Sequence, residues 1–183
     1  MCARLSFLLI LCLSISVMAD PAADALAKES EAYCASTAKD RDSVTPQVIV
    51  AKVDAACKLL EGDGTAAFDK FKGNGSDFLF GGTYIWIHDM EGTMLMHPIK
   101  NRMEGKKLLG LKDRQGKMIF VEMNKVAKDE GAGWVEYVWP KPGEKDVSPK
   151  TSYVKLVTVN GKEMVVGCGV YDLTLADVQA TLK

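Results

Sequence analysis

Soft metal ligands are concentrated in one short stretch of the chain, between Met90 and His97. Met90, Met94 and Met96 carry thioether sulfurs and His97 carries an imidazole, and both groups are acceptable ligands for Cu(I). Alternation along a strand, however, places Met94 and Met96 on one face and His97 on the other, so these ligands are not expected to converge. Methionine in a strand fills a core more often than it binds a metal. No metal site is therefore predicted.

Residues suited to nucleophilic catalysis are few. A Cys–His pair would have to combine Cys168 with His88 or His97, the two histidines of the chain. Cys168 lies in the apolar run VVGCGV, and burial of that kind raises a thiol pKa, which is the opposite of what a nucleophile needs. The sequence contains no G-x-S-x-G, no G-x-x-x-x-G-K-[ST] and no H-E-x-x-H. We therefore expect neither an enzyme nor a bound cofactor.

The composition is that of an ordinary folded domain. The 183 residues include 48% apolar and 26% charged residues, close to the average for soluble proteins, which excludes disorder, collagen-like repeats and a multi-span membrane protein. Its 23 basic and 24 acidic residues give a net charge of −1. Because nucleic acid requires clustered Lys and Arg, no nucleic-acid partner is expected.

The N-terminus MCARLSFLLILCLSISVMAD is typical of a secretory signal peptide. Arg4 supplies the positive charge, an apolar stretch runs from Leu5 to Val17, and Ala19 is the small residue before the cleavage point. That stretch is shorter than the ~20 residues that span a bilayer. The sequence thus predicts a signal peptide over residues 1–19, one domain over residues 20–183, and a periplasmic or secreted location.

Three cysteines remain after the predicted leader, Cys34, Cys57 and Cys168. An odd number allows at most one intramolecular disulfide. Cys34 and Cys57 both fall in the helical N-terminal part, and an oxidising compartment favours their pairing. Cys168 is expected to be a small buried hydrophobe.

The element pattern is that of an α+β domain. Helical spacing without Pro or Gly predicts a long helix from about Ala22 to Lys39, and Thr45 with Pro46 begins a second one. From Thr83 the pattern changes to two short strands joined across Gly92. A helix over 118–130 and three further strands follow, the last two joined by the Asn-Gly turn at 160–161, and a short helix closes the chain over 175–182. Strands joined by hairpins are antiparallel.

Four stretches carry a family resemblance: YIWIHDMEGTMLMHP, GKKLLGLKDRQGK, GWVEYVWPKPGEKDVSPKTSYVKLV and VVGCGVYD. Within them D-x-x-G, H-P, a second D-x-x-G, Y-x-W-P-K-P-G and P-K-x-S-Y-V occur in a specific order and spacing. On these motifs the chain resembles the single Cache domain of the second type, a PAS-like extracellular sensor module of bacteria, over roughly residues 22–172.

The resemblance implies a five-stranded antiparallel sheet with a long N-terminal helix and a ligand pocket on one face. It also implies small organic ligands, often short carboxylates such as acetate, propionate, lactate or pyruvate. Matched to the motifs position by position, it assigns ligand binding to His97, Tyr137, Trp139, Lys150 and Tyr153, with Trp86 as a pocket wall. Each residue has a plainer alternative: a strand-end histidine, a solvated lysine, or ordinary core aromatics.

Taken together, the sequence predicts an exported, non-catalytic sensor domain for a small organic ligand, with a short-chain carboxylate favoured. It would act through a separate membrane partner such as a sensor kinase, chemoreceptor or transporter. Two alternatives stay open: a periplasmic accessory or interaction protein with a vestigial pocket and, less favoured, a metal-handling protein.

Overall fold

Two capped helices open the part of the chain that the computed structural model describes, residues 20–183. Helix α1 (Pro21–Ser36) starts at Asp20, whose carboxylate accepts from the Ala22 N–H at 3.0 Å. Helix α2 (Pro46–Asp63) starts at Thr45 with Pro46 in its first turn, as predicted. The predicted signal peptide, with Cys2 and Cys12, lies outside the described residues.

Helix α1 ends three residues earlier than expected. The Thr37 hydroxyl donates to the Cys34 carbonyl at 2.7 Å, and such local bonds compete with regular helix hydrogen bonding. The chain tightens there into a 3₁₀ segment, Thr37–Ser43. Within residues 20–183, no helix has both the length and the apolar character needed to cross a membrane.

The predicted α+β architecture is confirmed. A two-stranded pair, β1 (Leu79–Phe80) and β2 (Thr83–Tyr84), precedes a five-stranded antiparallel sheet of order β4-β3-β7-β6-β5. The remaining elements, in chain order, are β3 (Trp86–Asp89), β4 (Met94–Met96), α3 (Ile119–Glu130), β5 (Ala132–Pro140), β6 (Val147–Val159), β7 (Lys162–Tyr171) and α4 (Leu175–Thr181).

The sheet separates two apolar clusters. Helix α2 packs on β6 and β7 and shares one cluster with alternate sheet residues such as Ile87 and Val166. Helix α3 packs on β5 and β6 and shares the other cluster with Trp86 and Val165. Neighbouring residues of one strand thus enter opposite clusters, as strand alternation requires. We call the two sides of the sheet the α2 face and the α3 face.

The edge hairpin departs from this alternation. Ile87 pairs with Met96 but His88 pairs with Met94, so Leu95 is an extra residue in a bulge. Met94 consequently lies in the cluster of the α3 face and Met96 in that of the α2 face. The prediction that Met94 and Met96 share a face is therefore wrong.

The three cysteines of the described chain are buried free thiols. The Cys34 thiol donates to the Thr83 carbonyl at 3.1 Å within the α3-face cluster, whereas Cys57 packs in the α2-face cluster. The expected Cys34–Cys57 disulfide is therefore not formed in the structure, because the two residues pack into different cores. Cys168 is buried in β7, as predicted.

Candidate functional site

A cavity of about 20 Å³ lies between α3 and the sheet. That volume exceeds the roughly 10–15 Å³ that one water molecule requires, so the cavity has room for about one water in this form. Its walls come from β2 to β5, the loop after β4, and α3. The lining residues are Tyr84, Trp86, Met94, His97, Met103, Ile119, Phe120, Met123, Tyr137 and Trp139.

Lys150 places a fully buried cation next to this cavity. Its side chain is 0% exposed, so the alternative of a solvated loop lysine is wrong. The Nζ atom lies 4.2 Å from the centre of the Tyr84 ring and 5.3 Å from that of Trp86, and both rings line the cavity. In the described part of the chain, Lys150 Nζ has one hydrogen-bond acceptor, the Tyr171 hydroxyl at 3.3 Å.

Lys150 has no carboxylate partner among the ion pairs of residues 20–183. Burial lowers its pKa from 10.5 to about 8, which leaves the amine mostly protonated at neutral pH. Removing a charge from water costs several kcal/mol when nothing neutralises it. The ten residues that line the cavity include no Asp or Glu either. The site therefore has an uncompensated positive charge and favours an anion.

Two glycines of β7 make room for the side chains of this site. A Cβ on Gly169 would lie 2.8 Å from Lys150 Cε and 2.0 Å from Ser152 Oγ, and one on Gly167 would lie 2.3 Å from the Trp86 ring. The G-C-G spacing inside an otherwise apolar strand was the sequence signal for this close approach, since glycine in a strand interior often marks it.

His97 presents a neutral ring to the cavity. Its Nδ1 accepts from the backbone N–H groups of Lys100 at 3.0 Å and Ile99 at 3.4 Å, so the ring proton belongs on Nε2. Burial, followed by the positive charges of Lys150 and Lys100, holds the pKa of His97 well below its usual 6.5. The His97 Nε2–H is thus a donor that the backbone contacts leave available.

Trp86 adds an unpaired donor. Its Nε1–H is buried and has no hydrogen-bond partner within residues 20–183, which is uncommon for a buried polar group. Tyr137, also a lining residue, pairs its hydroxyl with Ser152 Oγ at 3.0 Å. Trp86, His97 and Tyr137 thus line the cavity, and Lys150 lies against the Tyr84 and Trp86 rings of its wall. Polar groups of four residues at or beside one small volume suit a carboxylate.

Tyr153 does not join this group. In the β5–β6 register Lys150 lies opposite Tyr137, whereas Tyr153 lies opposite Trp134. Lys150 and Tyr153 are three residues apart, and an odd spacing in a strand puts two side chains on opposite faces. Tyr153 packs on the α2 face with its ring 5.3 Å from that of Trp134. The ligand-binding role expected for Tyr153 has no support in this geometry, which favours the plainer alternative of a core aromatic.

Sequence reasoning missed Tyr84, Ser152 and Tyr171. A signal existed for Tyr171, because the Asn160–Gly161 turn sets the β6–β7 register and places Lys150 opposite Tyr171. Tyr84 has no such signal, since it comes from the short strand β2 outside the main sheet.

His88 connects the sheet to helix α3, which covers the cavity. Its Nε2 lies 2.9 Å from Asn124 Oδ1 of α3, and Asn124 Nδ2 donates to the Met90 carbonyl at 2.9 Å. The ring packs edge-on against Phe120, a lining residue. Burial lowers the pKa of His88 to about 4, so the ring is neutral at physiological pH.

Metal ligands are limited in this region. Among residues 20–183, no three His, Cys, Asp or Glu side chains come together as a possible metal site. The bulge does bring Met94 to the same cavity as His97, Met103 and Met123. The adjacent Lys150 cation opposes a metal ion electrostatically.

Comparison with known proteins points to one family. The model of the family Single Cache domain 2 matches residues 58–182. A methyl-accepting chemotaxis protein, McpP of Pseudomonas putida, is 39% identical over 97 residues, which are 53% of this chain and 17% of that protein. The sensor histidine kinase MctS of Rhizobium johnstonii is 33% identical over 88 residues, 48% of this chain and 18% of the kinase. The aligned segments thus span less than a fifth of either relative.

Solved structures agree in fold. A periplasmic sensor domain of a chemotaxis protein superposes with a TM-score of 0.62 at 32% identity, covering 70% of this chain and 95% of that one. A Cache chemosensory domain described for its carboxylic acid recognition superposes with a TM-score of 0.56, also at 32% identity, covering 74% and 95%.

Proposed function

The chain belongs to the Single Cache domain 2 family, and we propose that it is an exported, non-catalytic sensor domain that binds a short carboxylate in the cavity between α3 and the sheet. The observation that carries this proposal is Lys150, a buried cation that has no anionic partner within residues 20–183 and lies beside a cavity lined by no acidic residue of that range. A carboxylate would supply the missing charge. A charge-assisted hydrogen bond of this kind contributes about 1.5–3 kcal/mol.

The division of the cavity into polar and apolar parts supports a small amphipathic anion. The donors of Trp86, His97 and Tyr137 suit the carboxylate end, while Met94 and Met123 provide apolar surface for the carbon end. Because the free volume is about 20 Å³, even a two- or three-carbon acid needs lining side chains to move apart. Acetate, propionate, lactate and pyruvate are therefore the first ligands to test.

The relatives support a sensory role. McpP is a methyl-accepting chemotaxis protein and MctS a sensor histidine kinase, and a structural neighbour is described for recognising carboxylic acids. We propose that ligand binding to this chain reaches a separate membrane partner of the chemoreceptor, sensor kinase or transporter type. Export through the predicted signal peptide of residues 1–19 belongs to the same proposal.

Copper binding is the alternative that the structure makes worth testing. Met94 and His97 line one cavity, so the alternation argument against a shared site does not hold. Two features oppose Cu(I) there: the neighbouring Lys150 cation, and the engagement of His97 Nδ1 by two backbone donors. Charge thus favours an anion over a metal cation.

A thermal-shift screen of residues 20–183 separates these functions. The panel is acetate, propionate, lactate, pyruvate, a small amine and Cu(I). A ligand that binds only the folded state raises Tm, by the equivalent of about 2.7 kcal/mol at a hundredfold excess over Kd. We expect at least one carboxylate to raise Tm and the amine and Cu(I) to leave it unchanged. A rise with Cu(I) alone would favour metal handling, and no rise at all would favour an accessory protein with a vestigial pocket.

A further inference from the structure

A groove of about 210 Å³ on the protein surface adjoins the ligand cavity. Its basic residues are Lys100, Lys112 and Arg114, and its floor includes Val138 and Trp139. Trp139 lines the cavity as well as this groove. We call this surface the basic groove. The groove and the cavity share one lining residue, the half-buried Trp139, which is one of the predicted site residues.

The positive charges of the basic groove are not neutralised locally. Lys100, Lys112 and Arg114 take part in none of the ion pairs of residues 20–183. The one acid of the groove, Asp113, directs its carboxylate to the backbone N–H groups of Gln115, Lys117 and Val138. The formal charge of the groove residues is therefore 3 − 1 = +2.

The charge of the groove extends to the cavity through Lys100. The Lys100 backbone N–H holds His97 Nδ1 at 3.0 Å, and the Lys100 ammonium contributes to the lowered pKa of both His97 and Lys150. Cations therefore follow one another from Lys112 and Arg114 at the surface, through Lys100, to the buried Lys150. Clefts lined by one sign of charge raise on-rates for the opposite charge by about 10- to 1,000-fold.

A second cleft approaches the cavity on the side of Met103, with a volume of about 340 Å³. Its basic residues are Lys28, Lys100 and Arg102 and its acidic residues are Asp24 and Glu31. Arg102 is paired with Asp24 at 3.0 Å. With Lys100, which borders both surfaces, the charges of this cleft sum to 3 − 2 = +1, one less than those of the basic groove. The cleft therefore attracts an anion less strongly than the basic groove does.

Resting on the proposed function, we infer that the basic groove is the entrance of the ligand-binding site, where Lys112 and Arg114 steer anionic ligands past Trp139 to Lys150. The two cations act on the rate of association and do not contact the bound ligand. Since the cavity has room for about one water, passage requires side chains at the Trp139 boundary to move.

The test compares propionate association to three proteins covering residues 20–183: the parent, Lys112→Gln/Arg114→Gln, and the control Lys28→Gln/Lys58→Gln. The control removes two charges as well, one in the Met103 cleft and one on the exposed side of α2. Rates come from stopped-flow tryptophan fluorescence at about 0.01 M and about 1 M salt, where the Debye length is roughly 30 Å and 3 Å.

At low salt we expect the groove variant to associate roughly fivefold or more slowly than the parent, a difference that high salt removes, with dissociation rates unchanged. The control should match the parent at both salts. Equal association rates in groove variant and parent, an equal loss in the control, or a change confined to dissociation would each overturn the entrance assignment. If propionate, acetate, lactate and pyruvate all fail to bind the parent, the proposed function fails first and the entrance fails with it.

Discussion

The Nζ atom of Lys150 lies 3.3 Å from the Tyr171 hydroxyl, and that hydroxyl donates its own proton to the Pro140 carbonyl at 2.9 Å. The Tyr171 oxygen is thus fixed as an acceptor facing Lys150. Among residues 20–183, the buried ammonium is compensated by this one neutral oxygen and by the faces of three aromatic rings. Such an arrangement suits an ammonium group whose function is to bind an anion.

Ligand affinity should depend on pH through Lys150. Burial lowers the pKa of Lys150 to about 8, and only the protonated amine attracts a carboxylate. Calorimetry with propionate should give an association constant that is nearly constant from pH 6 to 7. Above pH 8 the constant should fall by roughly tenfold per pH unit. In Tyr171→Phe, which loses the acceptor, the decline should begin at lower pH. A constant affinity up to pH 10 would show that Lys150 does not hold the ligand.

The indole N–H of Trp86 should contribute to ligand binding. Trp86→Phe keeps an aromatic ring and removes a donor that has no hydrogen-bond partner among the described residues, 20–183. We expect propionate affinity to fall about tenfold, the equivalent of ~1.4 kcal/mol. The smaller ring also leaves a cavity in the α3-face core and lowers Tm, so affinities are compared at a temperature at which all the proteins are folded. The control is Trp134→Phe on the α2 face, which should bind like the parent. Equal affinity in both variants would remove Trp86 from the binding site.

Gly169 should be required for both site geometry and stability. A Cβ there would lie 2.0 Å from Ser152 Oγ and 2.8 Å from Lys150 Cε. Overpacking of this kind costs about 1–3 kcal/mol, so Gly169→Ala should lower the free energy of unfolding in urea and weaken propionate binding. Gly110→Ala is the matched control, because a Cβ at Gly110 meets nothing within 4 Å. If the two variants are equally stable, the packing of Lys150 against β7 is not as described.

Acid should destabilise the protein through His88. Its pKa is about 4 in the folded protein against 6.5 in the unfolded chain. The unfolded state therefore binds more protons below pH 6.5, and stability falls as pH drops from 6.5 to 4. Titration of His88 alone lowers the free energy of unfolding by about 3 kcal/mol at pH 4, relative to its value above pH 6.5.

Urea unfolding at pH 7 and pH 4.5 checks this expectation against His88→Gln. The variant should lose less stability than the parent over that interval, because glutamine does not titrate. An identical loss in both proteins would mean that His88 is protonated in the folded state without penalty.

Local turn motifs were enough to predict the architecture. Which residues form the site depends, in addition, on whether their spacing along a strand is odd or even. The Asn160–Gly161 turn and the Gly92 hairpin predicted the antiparallel order, and the structure confirms it. Tyr153 was grouped with Lys150 through their shared motif although their odd spacing puts them on opposite faces. The odd spacing is enough to place Lys150 on the α3 face and Tyr153 on the α2 face.

Other features could not be obtained from the sequence. Because Leu95 is an extra residue in the strand, Met94 and Met96 lie on opposite faces of the sheet. No residue type at these positions predicts a bulge. The burial of Lys150 results from the convergence of Tyr84, Trp86 and Tyr171 from three strands. Lysine composition statistics predict an exposed side chain, so tertiary packing overrides them at this position.

Propionate binding to Lys150→Met tests whether the charge of Lys150 holds the carboxylate. Methionine approximates the length and volume of the lysine stem without its charge, and replacing an uncompensated buried charge by an apolar side chain is neutral or stabilising. The control is Lys155→Met, on the same strand but on the α2 face, where Lys155 pairs with the partly exposed Asp54 and contributes little. Calorimetry should show that Lys150→Met binds propionate at least about tenfold more weakly than the parent. Thermal melts without propionate should show that the Tm of Lys150→Met is not lower than that of the parent. Lys155→Met should bind propionate like the parent. Undiminished binding by Lys150→Met would contradict the assignment of Lys150 as the residue that holds the carboxylate.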